Sequence, residues 1–89
     1  MKLWVDSQIS APTGYVYNKD IAQAKANIAL REGWAFNNIE CISVGHDGIE
    51  FLKWLENAGF NYPIHIHSED SVNIEKIREI IKRNGWEEV

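Results

Sequence analysis

Ile39-Glu40-Cys41-Ile42-Ser43-Val44 is the most continuous apolar run of the chain, and Gly45-His46-Asp47 follows it at once. A run of this kind fits a strand buried on both faces, as strands inside parallel sheets are. Asp47-Gly48-Ile49-Glu50 then matches a capping box with Asp in the Ser/Thr place. Ile49, Leu52, Leu55 and Ala58 fall on one helical face, and Gly59 closes the helix. A buried strand feeding an amphipathic helix is the repeating unit of an α/β sheet.

Working outward, Lys2-Leu3-Trp4-Val5 reads as a short first strand, ended by Asp6-Ser7, with a breaker-rich loop at Ser10-Ala11-Pro12-Thr13-Gly14. Tyr15-Val16-Tyr17 is brief and β-prone, suiting an edge strand. Asn18 or Asp20 caps a helix with Ile21, Ala24 and Ile28 on its apolar face, ended by Gly33. Downstream, Asn61-Tyr62-Pro63 turns into Ile64-His65-Ile66-His67, and a third helix from Ser71 turns Ile74, Ile77, Ile80 and Ile81 inward before Asn84-Gly85. Trp86 and the acidic tail form a cover or a last edge strand. The order β-β-α-β-α-β-α, with right-handed crossovers, predicts an α/β domain over residues 1–89. The expected form is a small three-layer flavodoxin-like sheet, mainly parallel, in strand order 2-1-3-4, with helices on both faces.

Eighty-nine residues suffice for one small core. The net charge of −4 and the interleaving of Lys76, Arg78, Lys82 and Arg83 with Glu75, Glu79, Glu87 and Glu88 argue against duplex nucleic acid as partner. Cys41 is the single cysteine, so no internal disulfide forms, and its apolar setting makes it a small hydrophobe. No apolar run approaches the ~18 residues of a membrane span, and no secretory leader pattern opens the chain. The expectation is a cytoplasmic protein without membrane contact. Trp34 and Trp86 are the aromatics that, if exposed, would mark a dimer patch; covering the core is their other role.

Parallel strands bring their C-terminal ends to one edge, where ligands of open α/β sheets bind. There the chain places Asp6-Ser7, Gly45-His46-Asp47 and His67-Ser68. His65 and His67, two apart on a strand, face the same side, a spacing that presents neighbouring imidazoles to a metal or a phosphate oxygen. The competing reading is a half-exposed face of an edge strand. Asp6 suits a carboxylate that holds a divalent cation or orients water, or else a turn-former. Asp47 is explained equally by helix capping. The Ser68 hydroxyl either binds phosphate beside the N-terminus of the third helix or caps it.

These stretches resemble the cyclic-phosphate-processing receiver-like domains, whose members read L-W-L-D-D-E-R-x-x-P, then S-L-D-H-D-L, then H-V-H-S-A-N-P-x-G. Here stand Leu3-Trp4-Val5-Asp6-Ser7-Gln8-Ile9-Ser10-Ala11-Pro12, Ser43-Val44-Gly45-His46-Asp47-Gly48 and His65-Ile66-His67-Ser68-Glu69-Asp70-Ser71-Val72-Asn73. Leu52-Lys53-Trp54-Leu55-Glu56 is similar to the family's second helix. The departures are Ser7 for the second acid, Ile9 for Arg, Gly45 for the first Asp of D-H-D, Asp70 for Asn and Asn73 for the last Gly.

The resemblance implies a receiver-like fold and a phosphate-containing small molecule or nucleotide as ligand, with cyclic phosphodiester hydrolysis as the activity. In that scheme Asp6, His46 and His67 are catalytic, Asp47, Ser68 and His65 bind ligand, and Asp6 with Asp47 holds a divalent metal. The alternative is a non-catalytic receiver-like binding or interaction module that kept the fold after losing two acids. A phosphorelay receiver is disfavoured, because Gly45 stands where the phosphoacceptor Asp would sit and Asp6 lacks its acidic partner.

Overall fold

The computed structural model describes residues 2–31 (29–31 as backbone), 39–46 and 48–89, and all counts here are of those residues. Gly33, Trp34 and Asp47, read above as helix end, candidate exposed aromatic and helix cap, lie outside them. The elements are β1 (Lys2–Val5), β2 (Tyr15–Asn18), α1 (Ile21–Arg31), β3 (Cys41–Val44), α2 (Gly48–Ala58), β4 (Ile64–Ile66) and α3 (Ser71–Asn84). They build a four-stranded sheet in the order β2-β1-β3-β4, every adjacent pair parallel. The central strand β3 is buried along its whole length, as its apolar run predicts.

The register sorts the strand residues into two faces. Leu3, Ile42 and Ile64 lie side by side, as do Val5, Val44 and Ile66. Most of these pack in one cluster with Ala24 and Ile28 of α1, Phe51, Leu52 and Leu55 of α2, and Ile77, Ile80 and Ile81 of α3. All three helices therefore share one face, and the expected three-layer arrangement with helices on both faces gives way to two layers among the described residues. The reason is topological. The steps β2 to β3, β3 to β4 and β4 to the tail all run the same way across the sheet, so right-handed crossovers put their helices on the same side. The one step in the opposite direction, β1 to β2, is made by residues 6–14, which form no helix. That loop packs back on the second face, where the Trp4 indole N–H donates to the Ile9 carbonyl at 2.9 Å.

The tail plays both roles considered for it. Trp86 is buried in the core, and Glu88 pairs in parallel with Ile64 beyond β4. The Ile64 N–H donates to Glu87 and the Val89 N–H to Ile64, both at 2.8 Å. Arg78 of α3 grips the exposed Glu88 carboxylate through Nε and Nη2. Helix α3 begins at Asp70, whose carboxylate accepts from the N–H groups of Val72 and Asn73, and it ends at Gly85, whose φ of 67° is the left-handed turn that glycine adopts without strain.

Helix α2 sits rotated from the expected face. Gly48, Phe51, Leu52 and Leu55 are buried, Ile49 is half-buried and Ala58 is exposed. Spacings of three, four and seven define this stripe, and choosing Phe51 over Ala58 hides far more apolar surface. Phe51→Ala is expected to cost about 3–5 kcal/mol in urea unfolding, whereas Ala58→Ser changes stability by less than about 0.5 kcal/mol.

Candidate functional site

On the face away from the helices, the register aligns Tyr17, Trp4, Ser43 and His65 in a row across the sheet. One pleat further along lie Asp6, Gly45 and His67, at the ends of β1, β3 and β4. Backbone hydrogen bonds carry the ladder into this second row: Asp6 N–H donates to the Asn18 carbonyl at 3.1 Å, and His67 N–H to that of Val44 at 3.0 Å. The side chains of the row thus hang on a fixed frame.

Asp6 and His67, two strands apart, meet over Gly45. His67 Nε2 lies 2.8 Å from Asp6 Oδ2, with 7% and 1% of the side chains exposed. A Cβ on Gly45 would stand 2.5 Å from Asp6 Oδ2 and 2.7 Å from His67 Cδ2, well inside van der Waals contact. Only glycine lets the pair close. Asp6 Oδ1 is also occupied, accepting from the N–H groups of Gln8 at 2.7 Å and Ile9 at 3.1 Å. The His67 ring stacks on Trp4, with centroids 3.7 Å apart and planes 6° from parallel, and its Nδ1 is 2.7 Å from Ser43 Oγ. The same Oγ lies 2.8 Å from Nδ1 of His65. Asp6, His67, Ser43 and His65 make one chain of hydrogen bonds.

Burial works against the Asp6 charge, but the Gln8 and Ile9 N–H groups and His67 outweigh it, leaving the carboxyl below its ordinary value. Burial pushes the His67 ring the other way, below the ordinary imidazole value, despite the pull of Asp6. The pair is therefore an ionised carboxylate accepting from a neutral imidazole.

Beside this pair opens a cleft of about 260 Å³ lined by Asp6, Gln8, Ile9, His46, Ser68, Glu69, Asp70 and Asn73. Ser68 is not the cap of α3, which is Asp70. Its Oγ instead accepts from the Asp70 N–H at 3.2 Å and from Asn73 Nδ2 at 3.1 Å. Asn73 Nδ2 also donates to the Gly45 carbonyl at 3.0 Å, tying α3 to the end of β3. At the N-terminus of α3 the Asp70 carboxylate accepts from the N–H groups of Val72 and Asn73.

The structure thus gathers Asp6, His67, His65 and Ser68 at or near one edge, with exposed His46 on the cleft wall. Asp47 lies outside the described residues. No three His, Cys, Asp or Glu side chains among the described residues converge as a metal site, and both Asp6 oxygens accept hydrogen bonds. Sequence reasoning missed Ser43, Trp4, Asn73 and the spacing role of Gly45. Ser43 carried a signal: a lone hydroxyl in an apolar, doubly buried strand needs a partner. No helix among the described residues is long and apolar enough to cross a membrane.

Comparison with known proteins yields no matching family model and no significant match among curated proteins or solved structures. The receiver-like resemblance rests on its three motifs.

Gly45→Ala is expected to destabilise the fold by about 1–3 kcal/mol through overpacking and to free the His67 ring, seen as a shift of its Cε1–H resonance. Acidification has a definite sign for both partners. The His67 value is lowered on folding, so its stabilisation is full above about 6.5, the unfolded value, and is lost as pH falls towards the folded value. The Asp6 carboxyl, also lowered, loses its contribution only below about 3.8. Urea midpoints measured from pH 8 to 3 should fall in two windows, and His67→Gln should remove the upper one.

Proposed function

We propose that this chain is a non-catalytic, receiver-like binding module whose strand-edge cleft takes a small polar ligand. The observation that carries this reading is the self-engagement of the Asp6–His67 pair. A general acid or base must reach the proton it moves, yet both ring nitrogens of His67 and both carboxylate oxygens of Asp6 are bonded within the fold. The alternative role for these residues, holding the strand ends together over Gly45, needs no ligand.

The cleft wall favours one ligand chemistry over another. Asp6, Glu69 and Asp70 bring three carboxylates to the lining, and like charge repels a bare phosphate. The wall offers mainly acceptors, so a ligand presenting hydroxyl or amino groups suits it best. Ser68 keeps its own O–H for donation, since both hydrogen bonds it makes are ones it accepts.

Cyclic phosphodiester hydrolysis is the second reading, favoured by His46 and Ser68 lining the same cleft. One set of experiments separates the two. Backbone amide shifts are followed during titration with spermidine, ribose, inorganic phosphate and cyclic mono- and dinucleotides, with and without Mg²⁺ or Mn²⁺, and the cyclic nucleotides are then assayed for hydrolysis. The expected result is movement of His46, Ser68 and Asn73 with an amine or hydroxyl ligand and no turnover. Metal-dependent hydrolysis abolished by His67→Gln would sink the binding-module reading.

A further inference from the structure

Two histidines address one buried hydroxyl. Ser43 Oγ lies 2.8 Å from Nδ1 of His65 and 2.7 Å from Nδ1 of His67, and the residue is fully buried. A hydroxyl carries one proton and donates it once, so it cannot satisfy two bare nitrogens. One ring must donate to it.

Asp6 determines which. Its ionised carboxylate only accepts, so the His67 nitrogen facing it, Nε2, carries a proton. A neutral His67 then has a bare Nδ1, and the Ser43 proton goes there. The oxygen of Ser43 is left as the acceptor towards His65, whose Nδ1 must bear a proton in turn. We infer that Ser43 is a positioning residue that holds the two histidines in opposite tautomers, so that His65, not His67, presents a basic nitrogen to a proton-donating ligand.

His67 is closed on every side: Asp6 at Nε2, Ser43 at Nδ1 and the Trp4 face over the ring. His65 is half-buried, and its Nε2 makes no hydrogen bond among the described residues. An imidazole whose Nδ1–H is held by an oxygen acceptor has its ring orientation and basic nitrogen fixed together. This inference is independent of the ligand that the cleft takes. It places the unbonded ring nitrogen of the His-x-His pair within the strand and not at its end.

Long-range ¹H–¹⁵N correlation of the ¹⁵N-labelled chain at pH 7.5 reads the tautomers directly. The expected spectrum has His65 protonated at Nδ1 and bare at Nε2, and His67 the reverse. A His65 protonated at Nε2 overturns the inference, whatever the variants do. Ser43→Ala should release His65 to a tautomer mixture while His67 keeps its Nε2–H, and Ser43→Thr should restore the wild-type pattern. A His65 that stays Nδ1-protonated in folded Ser43→Ala would also overturn it. Carbethoxylation by diethyl pyrocarbonate gives a second readout by peptide mapping: His65 should be modified and His67 spared, and the opposite order counts against the assignment.

Discussion

The absence of a side chain at Gly45 is the constraint on which the strand-end edge depends. β3 lies between β1 and β4, so any group on β1 that touches a group on β4 must pass over it. Glycine leaves that passage open, and Asp6 and His67 fill it. From this contact the other interactions follow. Nε2 of His67 is fixed on the carboxylate, its Nδ1 is turned to Ser43, and its ring lies flat on Trp4. Trp4 in turn holds the β1–β2 loop through Ile9, and that loop returns the N–H groups of Gln8 and Ile9 to Asp6. The circuit closes on itself.

Set against this, the departures from the receiver-like motifs acquire a physical meaning. Where the motif it resembles has an acid this chain has Gly45, and the space beside that glycine holds a hydrogen-bonded pair. Where that motif has its last glycine this chain has Asn73, whose amide joins Ser68 to the Gly45 carbonyl. Both positions contribute to contacts inside the fold. The edge is self-contained, with both Asp6 oxygens and both His67 nitrogens bonded within the fold.

Most of the architecture was legible because it rests on local patterns. The unbroken apolar run of β3, the breakers before β2 and the isoleucine spacing of α3 each pointed to the element found, and parallel pairing in the order 2-1-3-4 followed from helix-length connections. The sharing of one face by all helices was implied by the same strand order, but only once the loop nature of residues 6–14 was weighed. The rotation of α2 towards Phe51 needed the sheet surface it packs on. At the edge, strand periodicity correctly set His65 and His67 on one side. It could not reveal that a serine on the neighbouring strand lies between them, because register is a tertiary property. Nor could it separate a free Asp6 from one whose oxygens are already bonded.

Asp6 and His67 are separated by 61 positions in sequence, and that span has a kinetic consequence. Contacts between distant parts of a chain come late in folding, since the entropy of closing the intervening segment is met before the contact returns anything. The edge cluster cannot assemble until β1, β3 and β4 are docked in order. An intact contact therefore reports that three strands, distant in sequence, have come into place together, and the His67 ring is where that can be read.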